Sequence, residues 1–169
     1  MRIIAGEAKG RRLIAPRAGT RPFTGRAKEA VFSSLHHHVP GSRVLDLFAG
    51  SGSLGLEALS RGAESAVFVE HDRGAIAALT DHVASVGLGG DVVTADVERF
   101  LERDRGAYTL VFVDPPYAFD DARVKRVLGL VEARLSADAR IIVHRRAGGT
   151  APESDNLRCT DRRRYGDSE

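Results

Sequence analysis

Along most of this chain, short apolar runs alternate with longer segments whose apolar residues recur at three- and four-residue spacing. Val44-Leu45-Asp46-Leu47-Phe48 predicts a short buried strand, ended by Ala49-Gly50-Ser51-Gly52. Leu54, Leu56, Ala58 and Leu59 predict a helix from Ser53 to Arg61, which Gly62 stops. Ser65 to Glu70 reads as a second strand, Arg73 to Val86 as a helix closed by Gly87, and Asp91 to Thr94 as a third strand. Val97 to Arg103 is a short helix, and Tyr108 to Val113 a strongly apolar fourth strand. A helix follows from Asp121 to Arg134, with Val124, Val127, Leu128, Val131 and Leu135 on one face. Ala139 to Val143 is a fifth strand.

Strands this apolar have no wet face. Alternating with helices, they imply a mostly parallel sheet covered on both sides, an α/β doubly wound fold. In such sheets ligands bind beyond the carboxyl ends of the strands. Asp46, Glu70, Asp96 and Asp114 all fall at or just past predicted strand ends, so one rim is expected to carry four acids.

Residues 1–29 break the alternation. Arg2 to Gly6 and Gly10 to Ile14 suggest a hairpin around a Gly/Lys-rich bend, and Glu29 to His37 a helix with Val31, Phe32 and Leu35 inward. The arm holds eight Lys/Arg against two Asp/Glu, although the whole chain is only +2. Such a basic arm on an acidic body suits a polyanion, RNA or DNA first. The 169 residues, 43% hydrophobic, fit one globular domain. No apolar run is long enough to span a membrane, and the start lacks a signal peptide's continuous apolar stretch. Cys159 is the only cysteine, which excludes an internal disulfide and suits a reducing, cytoplasmic setting. His36-His37-His38 are adjacent and cannot share a helical face, so no metal site is expected there.

Gly50-Ser51-Gly52-Ser53-Leu54-Gly55 matches G-x-G-x-x-G between a strand and a helix. The glycines permit a tight turn and close approach of a ligand to a helix N-terminus. Nicotinamide and flavin enzymes share the pattern, so a nicotinamide-dependent oxidoreductase stays open. Asp46 argues against it, because a carboxylate there would repel a pyrophosphate. It suits the cationic S-adenosylmethionine, whose carboxylate can rest on the helix N-terminus. An Asp in this place can also simply cap the turn. Glu70 is placed to accept the ribose hydroxyls. Asp96 is placed to accept the adenine amino group, with Val97 beside it, or else to cap the next helix.

Val113-Asp114-Pro115-Pro116-Tyr117 is a stiff loop, since each proline fixes φ and removes an N–H. The Asp114 carboxylate and the Pro115 carbonyl could receive both hydrogens of an exocyclic amino group and aim its lone pair at a methyl group. Tyr117 could stack on an unpaired base. The loop does not distinguish guanine N2, adenine N6 of DNA or RNA, or a glutamine amide.

Taken together, these residues resemble the methyltransferases with an Asp/Asn-Pro-Pro-Tyr/Phe motif, and more narrowly the RsmD family. The resemblance runs from Arg2-Ile3-Ile4-Ala5-Gly6 and Lys9-Gly10-Arg11, through Arg21-Pro22 and Arg26 to Phe32, then Leu45 to Gly62 and Val113 to Tyr117. Arg164-Tyr165-Gly166-Asp167 is similar to the turn before the family's last strand. The resemblance implies a Rossmann-like enzyme that transfers a methyl group from S-adenosylmethionine to N2 of a guanine in small-subunit (16S) ribosomal RNA. It implies Asp114, Pro115, Pro116 and Tyr117 as the catalytic loop. Cofactor contacts are then expected from Arg26, Asp46, Phe48, Ala49, Gly50, Ser51, Gly52, Leu54, Glu70, His71, Asp96 and Val97. Lys9, Arg11, Arg12, Arg17 and Arg21 are expected to hold the RNA backbone. Residues 1–29 would then be an RNA-contacting arm and cofactor lid, and 30–169 the catalytic domain of a cytoplasmic monomer whose partner is the small ribosomal subunit.

Phe23 and Gly25 stand where the family usually has Thr and Asp, in a segment expected to close over the methionine end of the cofactor. The sequence stops at Glu169, where the family continues into a strand, so an exposed sheet edge and weakened activity are expected. That leaves a non-catalytic, cofactor-binding RNA-binding protein as an alternative of another class.

Overall fold

The computed structural model describes residues 1–14, 25–116, 118–148, 154 and 156–165. Its elements follow the order α1 (Gly25–Ser34), β1 (Arg43–Leu47), α2 (Ser53–Ser60), β2 (Ser65–Glu70), α3 (Arg73–Val86), β3 (Asp91–Thr94), α4 (Val97–Arg103), β4 (Tyr108–Val113), α5 (Asp121–Glu132) and β5 (Leu135–Val143). The five strands lie in the order β3-β2-β1-β4-β5, and every pairing is parallel. The chain steps outward from β1 to β3, then crosses back to β4 on the other side of β1. The switch point therefore falls between β1 and β4, where a doubly wound sheet opens its ligand crevice.

Period-two alternation sorts the strand residues into two cores. Val44, Phe68, Leu110 and Phe112 face α1, α2 and α3, where they meet Phe32, Leu56 and Leu79. Leu45, Leu47, Val69, Val111 and Val113 face α4 and α5, where they meet Leu101, Val124 and Val131. This two-sided burial is what the apolar runs implied.

The widest departures from the sequence reading are at α1 and β5, and Leu135, expected on the helix face, is the first residue of β5. Helix α1 starts at Gly25 and ends at Ser34, and the next residues turn tightly, with the His38 N–H on the Leu35 carbonyl at 2.7 Å. Strand β5 starts at Leu135, four residues earlier than the apolar run suggests. The polar Ser136-Ala137-Asp138 stretch lies in a register shift against Tyr108 and Leu110, with Asp138 at φ 59°. A bulge carries these residues within the strand. Strand β5 is the edge of the sheet among the described residues.

All eight residues of α2 are buried. The sheet covers one side and the N-terminal segment the other. Residues 1–14 form a narrow antiparallel ribbon with one bridge, Arg2 to Arg12, and its Ile3, Ala8 and Leu13 join the core. Glu57, fully buried on α2, holds the ribbon down. Its carboxylate accepts the Ile4 and Ala5 N–H groups at 2.8 and 3.1 Å and pairs with Lys28 at 3.1 Å and Arg61 at 2.8 Å. Burial lowers the Lys28 pKa while Glu57 pulls it back up. Gly6 sits where a Cβ would lie 1.6 Å from the Ser60 carbonyl oxygen, so only glycine lets the ribbon approach so closely.

Removing one partner of a buried pair leaves the other charge stranded. Glu57→Ala should cost about 3–5 kcal/mol, and Lys28→Met combined with Glu57→Leu less than that. Urea unfolding of both variants checks this. Equal losses would show that the ribbon, and not the stranded charge, sets the cost.

Candidate active site

The loop after β1 wraps over the switch point. Phe48, Gly50 and Gly52 all take left-handed backbone, at φ 59°, 54° and 74°, so the chain reverses within a few residues of the strand end. The third glycine of the motif works differently. A Cβ at Gly55 would lie 2.4 Å from the Phe68 ring and 3.1 Å from Asp46 Oδ2. Its absence lets the first turn of α2 rest on the sheet, and the Gly55 N–H donates to Asp46 Oδ2 at 2.8 Å.

Asp46 is thus a buried carboxyl that caps α2 from below. Burial pushes its pKa up from 3.8 to about 8, opposed by the Gly55 N–H and reinforced by the Asp114 and Glu70 carboxylates. Among the described residues no Lys or Arg pairs with any of these three acids. The donor set therefore fits a cationic group, the property on which the sequence argument for S-adenosylmethionine turned.

Glu70 shapes the loops on both sides of it. It accepts the Gly50 N–H on one oxygen at 2.9 Å, and the His71 and Asp72 N–H groups on the other at 2.7 and 2.9 Å. A carboxylate offers about four acceptor sites, so these three bonds leave one over. His71 is exposed beside it. Asp96 takes the capping role on α4, accepting the Arg99 N–H at 3.1 Å, and its second oxygen lies 3.6 Å from Arg123. Val97 and Leu54 are buried, as are Ala49 and Ser51. Arg26 is exposed on the first turn of α1.

Across the switch point, Asp114 follows β4 and is half-buried, with Pro115 buried behind it. The Pro116 carbonyl accepts the Phe119 N–H at 2.9 Å, which turns the loop. The Pro115 carbonyl accepts nothing among the described residues. Tyr117, Arg17, Arg21 and Phe23 lie outside the described residues. Lys9, Arg11 and Arg12 are exposed on the ribbon, where none pairs with an acid among the described residues.

Three contributors were not singled out from sequence. His144, the first residue past β5, is buried with Nδ1 2.7 Å from Asp114 Oδ1. The rim rule that flagged Asp114 after β4 applies equally to a residue just after β5. Phe119 packs edge-on against Phe48 at 5.2 Å and lies under Arg123 at 3.9 Å, which fixes one wall of the cleft. His82 bridges the ribbon and the glycine loop. Its Nδ1 meets the Ser51 carbonyl at 2.9 Å, and its Nε2 accepts the Ile14 N–H at 2.8 Å. A carbonyl only accepts, so Nδ1 carries the hydrogen. Ser51 also reaches Met1 Sδ at 3.3 Å through its hydroxyl. No local pattern marks His82, because its partners are 31 and 68 residues away.

A doubly wound sheet, an acid-lined switch point and an Asp-Pro-Pro loop facing a glycine loop define a Rossmann-like methyltransferase. The family model described as "Conserved hypothetical protein 95" matches residues 1–169, and the chain belongs to that family, which is the RsmD methyltransferase family. It is 37% identical over 176 residues to YlbH of Bacillus subtilis, provisionally named an rRNA methyltransferase, covering 98% of this chain and 94% of that one. It is 41% identical over 119 residues to Ribosomal RNA small subunit methyltransferase D of Escherichia coli K12, covering 69% of this chain but 60% of that protein. The solved structure of yhhF from Escherichia coli, provisionally named a methyltransferase, superposes with a TM-score of 0.85 at 35% identity, covering 99% and 93%.

Asp46 titrates near 3.8 when exposed but near 8 in the fold. Its contribution to stability is fully present below about pH 4 and is lost as the pH rises toward 8. The gap between Asp46→Asn and the parent protein should widen in the variant's favour across that window, by at most roughly 1.4 kcal/mol per pH unit. Urea unfolding at stepped pH measures it, and a constant gap would mean that the carboxyl is ionised throughout.

Proposed function

We propose that this protein transfers a methyl group from S-adenosylmethionine to the exocyclic N2 of a guanine in small-subunit ribosomal RNA. The observation that carries the reading is the pairing of two unsaturated acceptors, the Asp114 carboxylate and the Pro115 carbonyl, on a rigid loop facing the glycine loop. A planar amino group that donates one hydrogen to each is held with its lone pair directed across the switch point. The donor supplies a methyl carbon made electrophilic by a sulfonium. The amino nitrogen attacks that carbon, the C–S electron pair returns to sulfur, and the nitrogen loses a proton to water. Asp114 steadies the positive charge that grows on nitrogen. On the cofactor side, Asp46 answers the donor's positive charge, Glu70 takes a ribose hydroxyl, and Phe48, Val97 and Asp96 receive the adenine end. Tyr117 stacks on the target base.

The choice of ribosomal RNA rests on the family and on the name of the Escherichia coli relative, and the exposed cations of Lys9, Arg11 and Arg12 support it. In this reading residues 1–29, with Arg17 and Arg21, grip the RNA backbone and cover the cofactor, while 30–169 carry out the chemistry. The protein works in the cytoplasm as a monomer on the small ribosomal subunit.

The test supplies labelled S-adenosylmethionine and small subunits from a strain lacking this gene, followed by nucleoside digestion. N2-methylguanosine should carry the label, and Asp114→Ala should reduce it by about a hundredfold or more. Label in N6-methyladenosine or in protein overturns the substrate, and an active Asp114→Ala overturns the mechanism. Neutralising Arg11 and Arg12 together should weaken RNA binding, lower the salt slope by roughly one to two, and leave S-adenosylhomocysteine binding unchanged. Filter binding across a salt series and calorimetry measure the two effects.

A further inference from the structure

We propose that His144 is a positioning residue for methyl transfer, using its Nδ1–H to hold one oxygen of Asp114 so that the other faces the substrate amino group. This rests on the reading above that Asp114 receives one of the amino hydrogens.

The two residues sit side by side because the strands before them do. Val113 and Val143 are partners in the β4–β5 ladder, so the next residues, Asp114 and His144, leave the sheet together. The ladder extends one step further, with the His144 N–H on the Val113 carbonyl at 3.0 Å. On the other side, Arg145 pairs with Asp121 of α5 at 2.9 Å. The backbone at His144 is thus pinned to β4, the neighbouring Arg145 side chain reaches α5, and the buried His144 ring has little room to turn.

Nδ1 lies 2.7 Å from Asp114 Oδ1, the short range of a hydrogen bond to a charged acceptor. An ionised carboxylate only accepts, so Nδ1 is the donor. A carboxylate free to turn about its two side-chain bonds swings, and an acceptor that swings does not fix a lone pair. With Oδ1 engaged, Oδ2 and the Pro115 carbonyl form a fixed pair. The polarity fits as well, since Asp114 shares its rim with Asp46 and Glu70 and has no Lys or Arg partner among the described residues. His144 takes no proton from the substrate and stays unchanged through the reaction.

The test compares His144→Leu with His144→Asn, whose side-chain amide can place an N–H near the position of Nδ1. Single-turnover rates are read with donor and small subunits both saturating, alongside binding of each. His144→Leu should lose roughly tenfold to a hundredfold in rate with both affinities unchanged, and His144→Asn should recover most of it. A full rate in His144→Leu, or equal loss in both variants, overturns the proposal. Should His144→Leu fail to fold, ¹H–¹⁵N spectra of the parent protein decide. The His144 Nδ1–H signal, identified by its absence from His144→Asn, should be protected from exchange and should lose that protection in Asp114→Ala. No such signal, or one indifferent to Asp114→Ala, overturns the proposal. Loss of methylation in Asp114→Ala with a full rate in His144→Leu removes only the role of His144. Full methylation by Asp114→Ala removes the proposed mechanism together with it.

Discussion

The contact between the Gly55 N–H and Asp46 Oδ2, 2.8 Å long, brings the first turn of α2 onto the end of β1. Only a residue without Cβ allows it, because Phe68 and Asp46 occupy the space that a side chain would need. Once α2 is seated there, the loop before it has few residues in which to reverse direction, and three of them take left-handed backbone. The same seat exposes the far side of α2 to the N-terminal ribbon, so Glu57 and Ser60 point away from the sheet and into the ribbon's backbone. Cofactor loop and ribbon are thus two consequences of one close approach.

The acids of the rim carry structural duties of their own. Asp46 caps α2 and, with Asp114 and Glu70, leaves the switch point short of positive charge. Glu70 closes the glycine loop with three backbone N–H groups and retains one acceptor site. Burial without a cation normally disfavours such a cluster. Here the first consequence is a carboxyl at Asp46 that stays protonated well above its ordinary range. A cationic ligand placed beside Asp46 would favour its ionised form and draw the pKa back down.

The ribbon is coupled to the chemistry through short polar links and not only by packing. His82 joins the Ile14 N–H to the Ser51 carbonyl, and Ser51 joins Met1. A segment that carries the exposed cations Lys9, Arg11 and Arg12 therefore shares hydrogen bonds with the glycine loop. Contacts made by those cations are a few bonds removed from the glycine loop.

By itself the sequence determined the order and type of the elements, the parallel sheet and the strand ends where the acids gather. Those features are periodic or local: apolar runs such as Tyr108 to Val113, glycines at fixed offsets, and two prolines after a strand. The resemblance to the RsmD family was legible for the same reason, since its motifs are contiguous stretches. Boundaries were less legible where polar residues hid a bulge, as before Ala139. The tertiary structure alone decided what each acid holds, that Glu57 and Lys28 form a buried clasp, and that His144 and His82 belong with the site at all. The partners of His144 and His82 lie 30 to 68 residues away in the chain, and no local spacing encodes a hydrogen bond that the packing of strands and helices creates.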